Sequence, residues 1–165
     1  MSAEEVLAFF PENSFSRNAI ESAQDEPNFG IARLVFYVSS LPSQAARERF
    51  AGIELINLVL FDGHLVELNL NYTGANSRPK RGPIWRNVDE FVNRLSEVPG
   101  LPPATVWFDR DGSSKTLRCT GFIVTALVEQ GSAGTITLRI PTSYEETVRQ
   151  RALAEQERKR REFKP

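Results

Sequence analysis

The chain is short of the side chains that do most of the chemistry in enzymes. Cys119 is its only cysteine and His64 its only histidine. One cysteine forms no intramolecular disulfide and no thiolate metal site. It reads instead as a small structural hydrophobe. A Ser-His-Asp or Cys-His centre would have to run through His64, which lies beside Asp62 at the mouth of a turn, where a histidine is usually solvated.

Also missing is a charge excess. The formal net charge is -1 and the isoelectric point about 5.9, so the molecule as a whole is not drawn to nucleic acid or to anionic membranes. No apolar run approaches the roughly 20 residues that cross a bilayer, which predicts no transmembrane segment. No basic-then-apolar leader opens at Met1. The expected compartment is the cytoplasm, or an extracytoplasmic space if the true start lies upstream of Met1. Phosphate-cradling and dinucleotide-binding glycine loops are absent. Asp109-x-Asp111-Gly112 begins like a calcium loop but carries Ser114 and Thr120 where an EF-hand needs glycine and a bidentate glutamate. It reads as a β-turn, and no cofactor or metal is expected.

What remains is material for one folded domain. The chain has 165 residues, 41% of them hydrophobic, enough to bury most of the surface of a domain of this size. Ser2 and Glu5 have capping-box spacing, so a helix starts almost at the first residue and stops before Pro11. A short helix is expected near Arg17–Ala23. Ile31–Ser39 alternates as a strand, with Ala32, Leu34, Phe36 and Val38 on one face. Pro42 to Phe50 connects it to the clearest local signal, Asp62-Gly63 between the β-rich runs Ile53–Phe61 and His64–Tyr72, which predicts a type I′ hairpin. Its register puts Val59, Phe61, Val66, Leu68, Leu70 and Tyr72 on one side and Ile56, Leu58, Leu60 and Leu65 on the other.

Thr73 to Pro83 is rich in Gly, Pro, Ser and basic residues and reads as an exposed linker. Asn87 with Glu90 starts a second helix, whose stripe is Phe91, Val92 and Leu95. Thr105–Phe108 is expected as a short strand and Thr116–Val128 as a strand broken at Gly121. Thr135–Ile140 follows, in a register setting Val128 against Ile136 and Ala126 against Leu138. Ser143 and Glu146 open a charged helix toward Phe163. The fold class is therefore α+β: an antiparallel sheet of about six or seven strands, helices packed on one face, and a projecting C-terminal helix. The domain spans residues 1–142, with the helix as 143–165. Residues 1–72 and 87–140 share the order helix, strand, hairpin. That order admits either an internal duplication or two helices with ordinary capping chemistry.

Met1-Ser2-x-x-Glu5-Val6 resembles the helix start of bacterial outer-membrane assembly lipoproteins of the SmpA/OmlA type. The helix-then-hairpin units resemble the layout of β-lactamase-inhibitor-protein-like domains. The resemblance implies a protein-binding scaffold with no catalytic residues. The expected function is accordingly a non-enzymatic interaction or scaffold domain with a protein partner. Two other readings stay open. One is a nucleic-acid-associated protein using Arg78, Lys80 and Arg81 in the linker and Arg158, Lys159, Arg160 and Arg161 in the tail, though Glu155, Glu157 and Glu162 dilute the tail's field. The other is an enzyme working through carboxylates alone, although Glu4, Glu5, Asp89 and Glu90 are already explained as helix-start residues. Trp85 and Trp107 are expected in the core or at its rim. The candidate interaction surface is the apolar strip Ile56, Leu58, Leu60 and Leu65, a docking face if no helix covers it.

Overall fold

Asp62 and Gly63 adopt φ of 47° and 77°, the two left-handed positions that a type I′ turn demands. The flanking strands are β2, Ile53–Phe61, and β3, His64–Tyr72, with the boundaries the sequence predicts. The computed structural model describes residues 1–8, 29–41, 44–72, 85–97, 101–128, 134–141 and 144–163. The expected short helix near Arg17–Ala23, the 73–83 linker with Arg78, Lys80 and Arg81, and Ser143 lie outside the described residues.

The other strands are β1, Ile31–Tyr37, β4, Phe108–Asp109, β5, Ser114–Cys119, β6, Phe122–Val128, and β7, Gly134–Arg139. They join the hairpin in one seven-stranded antiparallel sheet of order β1-β2-β3-β7-β6-β5-β4. Two meanders are thus joined through their last strands. The helices are α1, Ala3–Leu7, α2, Gln44–Arg49, α3, Val88–Ser96, and α4, Tyr144–Glu162. By compactness the chain divides into two units. One comprises Met1–Leu34, Leu58–Val66 and Thr142–Pro165, the other Val35–Asn57 and Glu67–Pro141.

In the first unit the capping box forms as expected. Ser2 Oγ accepts from Glu5 N at 3.2 Å and Glu5 Oε2 accepts from Ser2 N at 2.7 Å. The N-terminal segment is also stitched to the hairpin turn, because Ala3 N donates to Gly63 O at 2.7 Å and Leu65 N to Met1 O at 2.9 Å. Val6 is buried. In β1, Ala32, Leu34 and Phe36 are buried, while Val35 and Tyr37 are exposed. This strand ends two residues before the expected Ser39, because Val38–Ser40 winds into a 3₁₀ turn.

The second unit is a helix-on-sheet core. Asn87 Oδ1 accepts from Glu90 N at 2.9 Å and caps α3, while Glu90 reaches past the cap to accept from Arg86 N at 2.9 Å. Val88, Phe91, Val92 and Leu95 fall on one helical face and pack against Val124, Ala126, Val128 and Ile136. Phe91 is fully buried and meets the rings of Trp85 at 5.0 Å and Tyr72 at 5.5 Å. Burying a side chain of this kind contributes about 1.5–3 kcal/mol.

Three expectations are corrected here. Thr105–Phe108 is not a strand. Ala104–Val106 is a 3₁₀ turn and only Phe108–Asp109 pairs with β5. Pro102 and Pro103 supply carbonyls but no N–H: Val106 N donates to Pro103 O at 3.0 Å, and buried Trp107 satisfies its indole by donating to Pro102 O at 3.0 Å. Thr116–Val128 is two strands, turned at Thr120-Gly121 with Gly121 at φ 84°, so the expected break is a full hairpin. The β6–β7 register is shifted by two residues. Ala126 faces Ile136, Val124 faces Leu138, and Val128 faces Gly134. The shift is even, so the side-chain faces survive. Its cause is Gly134, where a Cβ would lie 2.6 Å from Phe91 ring atoms. The strand needs a residue without a side chain beneath that ring, and glycine is drawn from the loop into the ladder.

Candidate interaction surfaces

Ile56, Leu58 and Leu60 are 1%, 2% and 0% exposed, and Leu65 is half-buried. The strip expected as a docking face is core. Its alternation with Glu54 and Asn57 told which side chains share a side, but not which side is covered.

The opposite side of the hairpin carries α4. Tyr144 is buried with Val59 and Val66, and Ile31, Phe61 and Val148 pack around them. The Phe61 and Tyr144 rings lie 5.8 Å apart. One turn beyond Val148, Arg151 closes over the hairpin turn. Its Nη1 and Nη2 donate to Asp62 Oδ1 and Oδ2, both at 2.8 Å. Nη1 also donates to Phe29 O at 2.9 Å, and the guanidinium carbon stands 5.0 Å over the Phe61 ring. A planar fork matched to a carboxylate and laid on an aromatic face is a geometry lysine cannot reproduce. The Arg151 hydrogen bonds hold the Asp62 carboxyl below its ordinary range. Phe29, a bulky residue at φ 50°, aims its carbonyl at this guanidinium. Gly30 beside it has no room for a side chain, since a Cβ would lie 2.2 Å from Asp62 Oδ1 and 2.6 Å from Arg151 Nη1.

This clasp was missed in the sequence. Its signal was there: Tyr144, Val148 and Arg151 recur at helical spacing, and the turn aspartate has a carboxylate with no local duty.

Beyond Arg151 the helix changes character. Leu153 and Phe163 are exposed, and residues 152–163 hold four basic side chains against three acidic ones. Several of these charges pair within the helix. Arg158 bonds Glu155 at 2.7 Å and Glu162 at 2.8 Å, and Lys159 reaches Glu155 at 3.1 Å. The Glu155 bond raises the Arg158 pKa above its ordinary value. Arg160 and Arg161 are exposed. Of the seven basic residues expected as phosphate contacts, four therefore share this helix, two of them already paired with carboxylates.

In the second unit, Lys115 is buried, its side chain 8% exposed, and its ammonium lies 3.0 Å from Asp89 Oδ1 and 3.4 Å from Asp109 Oδ2. The Asp89 bond is the main reason its pKa is raised. Asp109 and Asp111 act as turn formers. Asp109 Oδ1 accepts from Gly112 N at 2.8 Å. Asp111 Oδ1 accepts from Ser113 Oγ at 2.8 Å and Ser114 N at 2.9 Å. Among the described residues no cluster of three metal-ligating side chains occurs. His64 is exposed and bridges to Ser2 in the first unit. Cys119 is half-buried against the α3 core.

Across β3, β7, β6 and β5 the sheet surface facing away from α3 carries a polar row. Cross-strand register sets Asn69, Thr137, Thr125 and Thr116 in one row. Thr137 Oγ1 donates to Asn69 Oδ1 at 2.6 Å, and Thr135 Oγ1 to Asn71 Oδ1 at 3.3 Å. These hydroxyls and amides satisfy one another across the ladder, as cross-strand polar pairs do. No described helix is long and apolar enough to cross a membrane. No family model, curated protein or solved structure matches the chain.

Proposed function

We propose that the protein is a non-enzymatic interaction domain whose contact element is the outer half of α4, carried on the sheet body for a protein partner. The observation that supports this reading is the contrast within one helix. Up to Arg151 the helix buries Tyr144 and packs Val148; past it, a 3.6-residue apolar stripe is lacking and i,i+3 and i,i+4 ion pairs hold the coil. A helical segment without an apolar stripe has little with which to pack as a core element. Near-balanced charge favours a protein surface over a phosphate backbone, which would need a denser cation array. The likeness of the Met1–Val6 start to outer-membrane assembly proteins points toward the same class, a scaffold that binds protein.

The test removes residues 152–165 and leaves the Arg151 clasp in place. The melting temperature is expected to move by less than about 5 °C, roughly the shift of 1 kcal/mol or a little more in a domain this size. Cross-linking capture of a protein partner from the native host is expected to be lost. If the truncation instead removes a salt-sensitive affinity for labelled RNA or DNA, the nucleic-acid reading replaces this one.

A further inference from the structure

Asp62-Gly63 is a chemically labile pair as well as a turn. The Gly63 amide nitrogen and the Asp62 carboxyl carbon are the two ends of a five-membered ring that one new bond would close, and glycine puts no side chain in the way. Nothing lies within 4 Å of a Cβ built on Gly63, so the approach is open. The Asp62 side chain is 40% exposed, which lets water reach whatever forms there. Ring closure needs one thing more: the carboxyl must turn until its carbon meets the Gly63 nitrogen. Here it is held. Arg151 Nη1 and Nη2 take one oxygen each at 2.8 Å. The guanidinium is itself fixed, by Phe29 O at 2.9 Å and by the Phe61 ring beneath it. A bidentate pair of this kind sets orientation as well as distance. It also favours the carboxylate over the acid, and the acid is the form that gives up its oxygen as water.

We infer that Asp62-Gly63 is a site of spontaneous backbone isomerisation and that Arg151 guards it, as a positioning residue that keeps the Asp62 carboxyl turned away from the Gly63 nitrogen. In the first step the bond from Gly63 N to Asp62 Cγ forms and a Cγ–O bond breaks. That oxygen leaves as water, with the acid proton and the amide proton. Water then adds back to the ring. Opening at Cγ restores aspartate. Opening at the main-chain carbonyl gives isoaspartate, with the chain running through Cβ and Cγ. No atom is gained or lost overall, and water is the only co-reactant. The product puts an extra methylene into a turn that closes over two residues and shortens the arm that carried the carboxylate to Arg151. Conversion at this one bond therefore removes the geometry on which the clasp depends. None of this depends on what α4 contacts.

Long incubation of the full chain at neutral pH tests this, followed by peptide mapping with a fragmentation that tells isoaspartate from aspartate. The same chain held unfolded in concentrated urea gives the unguarded rate. The folded parent is expected to convert far more slowly than the unfolded chain, and folded Arg151→Ala several-fold faster than the parent. Arg151→Lys keeps the charge but loses the fork, so it should fall between the two; it carries the test if Arg151→Ala fails to fold. Low urea, below the unfolding transition, separates a local route from a global one. Global exposure climbs steeply with denaturant, whereas the freed carboxyl turns without unfolding and its rate should barely respond. The guard is overturned if the folded parent converts as fast as the unfolded chain. It is equally overturned if the Arg151 variants stay as slow as the parent, since the left-handed turn backbone at Asp62 would then protect the bond unaided. A variant rate that follows global unfolding in urea would also overturn it, because Arg151 would then act through stability and not by holding the carboxyl.

Discussion

Replacing Gly134 by alanine tests the packing of the α3 core at one atom. The residue has no left-handed backbone to protect, so conformation alone would favour the change: removing glycine from a compatible position stabilises by about 0.4–1 kcal/mol. Space opposes it. The new Cβ would sit 2.6, 2.6 and 2.8 Å from three atoms of the Phe91 ring, about 1 Å inside normal carbon contact. Phe91 is 0% exposed and wedged against Trp85 and Tyr72, so the ring has no free direction in which to move. Overpacking of this kind costs about 1–3 kcal/mol, and the net loss should be about 1–2 kcal/mol. For this chain length that is a fall of roughly 2–8 °C in melting temperature, readable by calorimetry or by circular dichroism. Phe91→Leu opens space at the same place, so Gly134→Ala should cost less in the Phe91→Leu background. A coupling of about 0.5 kcal/mol or more is expected for residues in direct contact. Gly134→Ala that is neutral or stabilising, or additive with Phe91→Leu, would refute both the close approach and the explanation of the β7 register.

Three further expectations follow from the same structure. Gly63→Val should destabilise by about 1–2 kcal/mol, through backbone conformation alone, because nothing lies within 4 Å of a Cβ built there; Gly63→Asn should recover most of the loss in urea unfolding. Lys115→Met should keep the melting temperature within about 3 °C of the parent, since its partner carboxylates are 55% and 50% exposed and hydrate when the ammonium goes, while Lys115→Ala should fall further by losing the buried stem. Asp62 has a folded pKa below its unfolded 3.8, so its contribution is complete above the unfolded value and is lost as pH falls from there through the lower folded pKa; an acid titration of stability should be shallower below pH 4 in Asp62→Asn than in the parent.

Local chemistry carried most of the fold into the sequence. Asp62-Gly63 dictated a two-residue turn and thereby both flanking strands, and Ser2/Glu5 and Asn87/Glu90 marked helix starts by capping geometry that needs no tertiary help. Where the reading failed, the deciding partner was distant in the chain. The β7 register turned on Gly134 beneath Phe91, and the end of the 101–108 segment turned on Trp107 finding an acceptor at Pro102. The candidate surfaces fared less well for a related reason. Alternation along β2 says that Ile56, Leu58 and Leu60 share a side, but a buried side and an exposed apolar side look identical in sequence. Arg151 and Asp62 stand 89 residues apart, and a pair of opposite charges among the 20 basic and 21 acidic residues of the chain carries no local mark.

The order of strands also sets how the chain must assemble. The β5–β6 and β2–β3 turns each close over two residues and belong to hairpins that form in about 1–10 μs. The joint between the meanders does not. The Asn71–Thr135 and Asn69–Thr137 bonds across it span 64 and 68 residues of chain, and the entropy of that closure must be met before any β3–β7 contact repays it. Within the sheet this seam is therefore a slow closure to make. Until it closes, the β3 and β7 edges face solvent as unpaired strands, the kind that recruits other chains. The Thr-Asn pairs that line the seam on its polar side are well suited to select the right neighbour there, because each hydroxyl finds its amide only when β3 and β7 meet in the native register.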